Sequence, residues 1–413
     1  METTWWPTVV ALLYDLTGIP ISYFHDSYTT ELGEGSRVIL VIAILAPLIT
    51  VIVLTTRKHI KSYMYFGFAM LSFSSIIDLL LALEGDGIIK GFMGLYLKQG
   101  EPYLHSAWGS VVSYWDGVVF FACYVVMAFK ASNGMSYRTL GLHYSSAILN
   151  SMLVLLLGAC LSQSGITGLT ALNIPYVVFP MVVAIKCLTE KPKNRSVSMQ
   201  PGWVDTLLAV LLLEAAVVAL IKGLASLRGE QSMVAWYREL AEPIINQNEP
   251  APFAALQGLV YLFYFLPAYI VVAGGLVMNP GQPWLHDLTI LLAGATSHAG
   301  ITIVGMSYHR LTNPEHEAPK LTNHSAFIAF WAANLLTSLV PQLVAIRLCY
   351  IKSDDEGKVI KPAKSTNIIK QAKSVSSVKP GKLAKLSPDT TSNKDRTISN
   401  GKTKTKKNKL KEN

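Results

Sequence analysis

Apolar runs long enough to cross a bilayer recur along this chain, and no other feature limits its fold so strongly. A spanning helix needs about 17–25 such residues. Ten stretches qualify: Trp5–Phe24, Val38–Leu54, Tyr63–Leu83, Ala107–Phe129, Leu140–Leu161, Ile166–Leu188, Trp203–Leu224, Phe253–Val277, Leu285–Met306 and Ser325–Tyr350. Hydrocarbon offers backbone N–H and C=O groups no partner, so each stretch must satisfy its own, and a helix does so within one segment. The expected fold is therefore all-α, a polytopic membrane protein of about ten transmembrane helices. The first stretch reads as a retained span, because METTWWP has no basic residue and Asp15 interrupts the apolar run. Prolines within the spans (Pro47, Pro175, Pro180, Pro267 and Pro341) predict kinks.

The formal net charge of +9 is concentrated at one end. From Lys352 onward there are 16 lysines and one arginine against six acidic residues, and the rest of the chain is slightly acidic. Basicity confined to a tail excludes a chain-wide nucleic-acid surface. The tail, 352–413, has no apolar period and is expected to be disordered. It is either simply solvated or in contact with anionic headgroups of membrane lipids. Its ending, Lys409-Leu410-Lys411-Glu412-Asn413, resembles a dilysine retrieval signal of endoplasmic reticulum proteins, which makes the retrieval machinery a candidate partner. Lysines and arginines in short loops (Arg57, Lys58 and Lys61; Lys130 and Arg138; Lys186, Lys191, Lys193 and Arg195) alternate with poorer loops and place both termini in the cytosol. Arg310 and Lys320 fall on the opposite side in this scheme. The four cysteines lie in or beside apolar runs without metal spacing and read as small core residues.

Spans three to six and seven to ten look like two copies of one four-span unit. Tyr96-Leu97-Lys98-Gln99-Gly100-Glu101-Pro102 matches Tyr237-Arg238-Glu239-Leu240-Ala241-Glu242-Pro243, and Pro180–Lys186 matches Pro341–Arg347. In each copy an Asn precedes the later Pro by seven residues, Asn173 in the first and Asn334 in the second. Four spans return the chain to its starting side, so the copies are expected to run parallel. The division is then residues 1–60 as two leading helices, 61–190 as the first copy, 191–202 as a linker and 203–351 as the second. At the offset of 141, Asp78 and Glu84 fall on Ala219 and Ala225, and aligning the spans puts Tyr264 near Asp116. Any chemistry is therefore expected in the first copy.

Acidic residues inside apolar helices are the candidates for that chemistry, since each costs about 2.5–3.5 kcal/mol at a helix centre and is tolerated mainly towards a bundle interior or cavity. Glu84 ends span three and Asp116 lies well inside span four. Antiparallel neighbours would set both over one pocket, where one carboxyl donates a proton and the other stabilises a cation or removes a proton. The plainer alternatives are that Glu84 decorates a helix end and that Asp116 bonds another helix. Asp78 is six residues before Glu84, about 240° around the helix, so the two do not share a face. Asn173 and Tyr176 do share one. Tyr114 and Trp115, beside Asp116, complete the proposed ligand-binding set. His298 and His309 lack companions at metal spacing, so neither a metal nor another cofactor is expected.

The run LEGDGIIKGFMGLYLKQGEPYL together with YWDG resembles the transmembrane 6 superfamily, whose members carry two tandem EXPERA domains. The resemblance covers Trp5 to Tyr350. It implies a protein of the endoplasmic reticulum and related membranes acting in lipid and sterol metabolism. The EXPERA group includes emopamil-binding protein, a sterol Δ8–Δ7 isomerase, and sigma-2 receptor-type ligand binders. By the same resemblance, Glu84-Gly85 is similar to the isomerase's Glu-Gly, and Asp116 stands near its second catalytic carboxylate. Asn173, Tyr176 and Pro180 resemble its Asn…Trp…Pro pattern, whereas Leu80 occupies the position of its His. Three functions follow as expectations: a sterol- or lipid-binding regulator, a sterol double-bond isomerase, or a transporter of lipid or another small molecule.

Overall fold

The computed structural model describes residues 3–28, 32–190, 200–309 and 323–354. Every regular element among them is helical. Eight helices are long and apolar enough to cross a membrane: Met64–Gly85, Ala107–Ser132, Arg138–Leu161, Thr170–Thr189, Trp203–Ser226, Phe253–Met278, Pro283–Tyr308 and His324–Cys349. Span two is the helix α3 (Glu34–Thr56), with a shorter apolar part at Ile42–Thr56. The first expected span is broken into α1 (Trp6–Leu16) and α2 (Gly18–Tyr28). The break has a local cause. The Thr17 hydroxyl donates back to the Tyr14 carbonyl at 2.6 Å, and Gly18 and Pro20 begin a new first turn, where a missing N–H costs nothing. Each 11-residue piece is about 16 Å long, too short to cross alone. The dilysine ending, the rest of the tail from residue 355, Lys191, Lys193, Arg195, Arg310 and Lys320 lie outside the described residues.

Two similar, though not identical, orders of elements follow one another. In the first unit the order runs α4 (Met64–Gly85), a π-helical turn at Tyr96–Gly100, a 3₁₀ turn at Pro102–Leu104, α5 (Ala107–Trp115), a second π turn at Asp116–Phe120, then α6 (Phe121–Ser132), α7 (Arg138–Leu161), a 3₁₀ helix at Gly168–Asn173 and α8 (Ile174–Thr189). In the second unit it runs α9 (Trp203–Ser226), α10 (Ser232–Trp236), a π turn at Tyr237–Ala241, a 3₁₀ turn at Pro243–Asn246, α11 (Phe253–Val260), a π turn at Tyr261–Phe265, then α12 (Leu266–Met278), α13 (Pro283–Tyr308) and α14 (His324–Asp354). The π turns align Asp116 with Tyr261, not with Tyr264. Of the prolines expected to kink spans, Pro47, Pro180 and Pro341 are inside helices. Pro175 instead occupies the first turn of α8, whereas Pro267 follows directly on the π turn Tyr261–Phe265 within the continuous helix Phe253–Met278.

The units share one hydrophobic core, which runs from Ala11 to Leu348. They meet where α7 packs on α13 and where the Trp108 ring stacks on Phe253, centroids 4.1 Å apart. An ion pair closes this seam at one end. Both terminal guanidinium nitrogens of Arg138 (α7) donate to the Asp287 carboxylate (α13) at 2.7 Å, and Nε donates to the Glu190 carbonyl beyond α8. Removing one partner of a mostly buried pair strands the other. Arg138→Ala is therefore expected to cost about 3 kcal/mol, read as a lowered melting temperature in detergent.

Candidate functional site

The site is built from a contact that only glycine allows. A Cβ on Gly117 would lie 2.6 Å from Leu79 Cβ and 2.9 Å from Leu79 Cα, so the π turn Asp116–Phe120 lies directly against α4. Single π turns widen a helix locally and re-aim its side chains. The residues next to this contact are Asp116 and Asp78, and their carboxyls are close enough to interact electrostatically. Asp116 is buried, and its Oδ1 has no hydrogen-bond partner among the described residues. Asp78 keeps a partly accessible surface. The Tyr176 hydroxyl of α8 approaches Asp78 Oδ2 at 3.5 Å. Beside them, the rings of Tyr124 and Tyr144 pack edge to face at 5.0 Å, and their buried hydroxyls are near enough to interact with each other.

A third acid joins this group. Glu101 is 2% exposed and accepts from the Tyr96 hydroxyl at 2.5 Å, the Tyr103 hydroxyl, and Asn173 Nδ2 at 2.7 Å. Burial raises its pKa above the usual carboxylate value, and the three donors oppose that shift. Glu101 is not among the acids that helix position singles out, although the Tyr-x-x-x-x-Glu-Pro match between the copies marks it. Its charge also acts on Asp78.

The expected pairing of Glu84 with Asp116 does not form. The Glu84 carboxylate accepts the backbone N–H groups of Gly91 (3.1 Å), Phe92 (2.7 Å) and Met93 (2.8 Å), while Asp26 accepts Leu95 N–H at 2.6 Å. A loop folding back beside an apolar helix needs acceptors for its amides, and these carboxylates provide them. Asp78 takes the place beside Asp116 that was expected for Glu84.

Tyr114, Trp115 and Asp116 are consecutive, about 100° apart around the helix, and so point three ways. The Trp115 ring stands edge-on to His298 of α13 at 6.3 Å, towards the second unit. The Tyr114 hydroxyl donates to Asp86 Oδ2 at 3.0 Å, and Asp86 Oδ1 lies 2.9 Å from His309 Nε2. Neither side chain joins Asp116. Burial raises the pKa of Asp86, but the hydrogen bond and charge of His309, together with Tyr114, more than reverse this and hold it below the usual value. A lowered folded-state pKa contributes stability above the unfolded value of about 4, and that stability is lost as pH falls through the folded value. Wild type is therefore expected to be more stable than Asp86→Asn at pH 7, by about 1–2 kcal/mol, with the gap closing below about pH 4 in pH-dependent melting curves.

No three His, Cys, Asp or Glu side chains among the described residues converge as metal ligands would. What the geometry provides is a group of acids and tyrosines on and between the candidate spans, with one carboxyl oxygen unbonded among the described residues.

Sequence comparison adds to this picture. A family described as Transmembrane 6 superfamily member 2-like, transmembrane domain, matches residues 17–198. Transmembrane 6 superfamily member 2 of Mus musculus is 31% identical over 346 residues, covering 80% of this chain and 89% of that protein. The Homo sapiens protein of that name is 30% identical over 349 residues, covering 80% and 90%. No solved structure matches the chain.

Proposed function

The chain belongs to the transmembrane 6 superfamily, and from that premise we propose that it is a multi-pass protein of the endoplasmic reticulum membrane that binds a sterol or another lipid in its first unit and so regulates lipid metabolism. One observation carries this reading. The buried Asp116 carboxyl has an oxygen with no hydrogen-bond partner among the described residues, next to the partly accessible Asp78. A buried acid left in that state costs several kcal/mol, and a ligand's polar group reaching it from the membrane offsets the cost. The surrounding rings of Tyr124, Tyr144 and Tyr176 suit the apolar body of such a ligand. The resemblance of both units to EXPERA domains supports the same choice.

The test is photolabelling of the purified protein with a diazirine-bearing sterol. Saturable labelling within residues 107–132, competed by unlabelled sterol, is expected. Labelling that never saturates and falls only on the outer faces of α3 and α9 would overturn the proposal.

The Asp78–Asp116 pair also favours a second reading, a sterol double-bond isomerase in which one protonated carboxyl donates to the double bond and the other removes an allylic proton. Leu80, which is buried in α4, stands where the isomerase has His, and this weighs towards binding. Turnover of a Δ8-sterol by the purified protein would transfer the assignment to catalysis.

A further inference from the structure

The two units place opposite charges at one position. In the first unit Leu79 abuts the second residue of the π turn, Gly117, and Asp78 precedes Leu79. In the second unit the contact is repeated with the glycine on the other side: a Cβ on Gly223 would lie 2.4 Å from Leu262 Cβ, the second residue of the π turn there. Lys222 precedes Gly223. Lys222 therefore stands at the level of Asp78, and not the Ala219 that the sequence offset indicated.

Lys222 is 1% exposed and its ammonium is fully enclosed. It bonds the buried Glu242 carboxylate and Asn334 Oδ1, the latter at 3.1 Å. It also lies over the faces of Tyr261 at 5.0 Å and Tyr237 at 5.7 Å, and the Tyr237 hydroxyl donates to Glu242 at 2.5 Å. A carboxylate, an amide oxygen and two aromatic faces around one ammonium make a cation-binding site. Tyr237, Glu242 and Asn334 match Tyr96, Glu101 and Asn173, and in the first unit Tyr96 and Asn173 donate directly to Glu101. We propose that the second unit is a cation-binding site closed by a built-in occupant. The Lys222 side chain holds the place of a ligand's ammonium, so the second unit takes no ligand of its own. The proposal does not depend on what the first unit binds.

Lys222→Ala removes a propylammonium from this site, and propylammonium chloride is therefore the probe. The variant in detergent is expected to melt roughly 5–10 °C below wild type. Added propylammonium should raise its melting temperature with the logarithm of concentration, as specific binding requires. Propanol at equal concentration should not, and Lys222→Ala/Glu242→Gln, with no anion to attract the amine, should not respond. A diazirine-bearing octylammonium should label α9 or α14 in Lys222→Ala and neither helix in wild type. Failure of propylammonium to stabilise Lys222→Ala, including failure to recover it if it does not fold unaided, would overturn the proposal. So would equal labelling of wild type.

Discussion

Gly294→Leu is expected to abolish folding, with the loss exceeding about 4 kcal/mol and no monodisperse peak on size-exclusion chromatography. Gly294 lies in α13 where that helix crosses α7. An ideal Cβ there would be 2.0 Å from the His143 carbonyl oxygen and 2.2 Å from Ser146 Oγ. The nearest obstacle is backbone, which cannot rotate aside as a side chain can. Any side chain at 294 therefore pushes the two helices apart, and overpacking on this scale exceeds what rotamer shifts absorb. Gly274 in α12 is the control. Nothing lies within 4 Å of a Cβ placed there. Gly274→Ala should leave the chromatogram unchanged and gain up to about 1 kcal/mol, because alanine restricts the unfolded chain.

Asp116→Asn is expected to separate stability from binding. The substitution removes a buried carboxyl oxygen that has no hydrogen-bond partner among the described residues, so the ligand-free variant should be as stable as wild type or more stable, by up to about 2 kcal/mol. Lipid affinity should fall by a factor of ten or more, the loss of one hydrogen bond to the carboxyl. Functional sites commonly carry this trade-off, in which an unsatisfied group is kept because a ligand uses it. Calorimetry and a saturation binding curve on the same preparation read both quantities. A variant that loses stability and binding together would instead mark Asp116 as a structural strut.

Most of the fold was legible because apolar length and the bilayer leave few choices. The positions of Met64–Gly85 through His324–Cys349 follow from hydropathy alone. The break at Thr17 was not legible, since it depends on a hydroxyl turning back to Tyr14 within an otherwise apolar run. The site was half legible. Asp116, Asp78 and Tyr176 converge, but sequence spacing cannot tell which carboxylate at the end of α4 turns inward. Glu84 was claimed by loop amides, whose need for an acceptor becomes visible only once the loop is folded. Glu101 was present in the repeat match but was read as a marker of duplication rather than as a site residue. Lys222 was missed because a constant offset hides a shift of less than one helical turn, and the Gly223–Leu262 contact reveals it.

The central claim is that the acids of the first unit face a lipid. Its most direct test is mass spectrometry of lipid carried through purification by wild type and by Asp78→Asn/Asp116→Asn, each normalised to protein. A sterol or other lipid retained near one molecule per chain by wild type, and lost from the double variant while that variant stays folded, is the predicted result. Equal amounts of the same lipid on both proteins would contradict it.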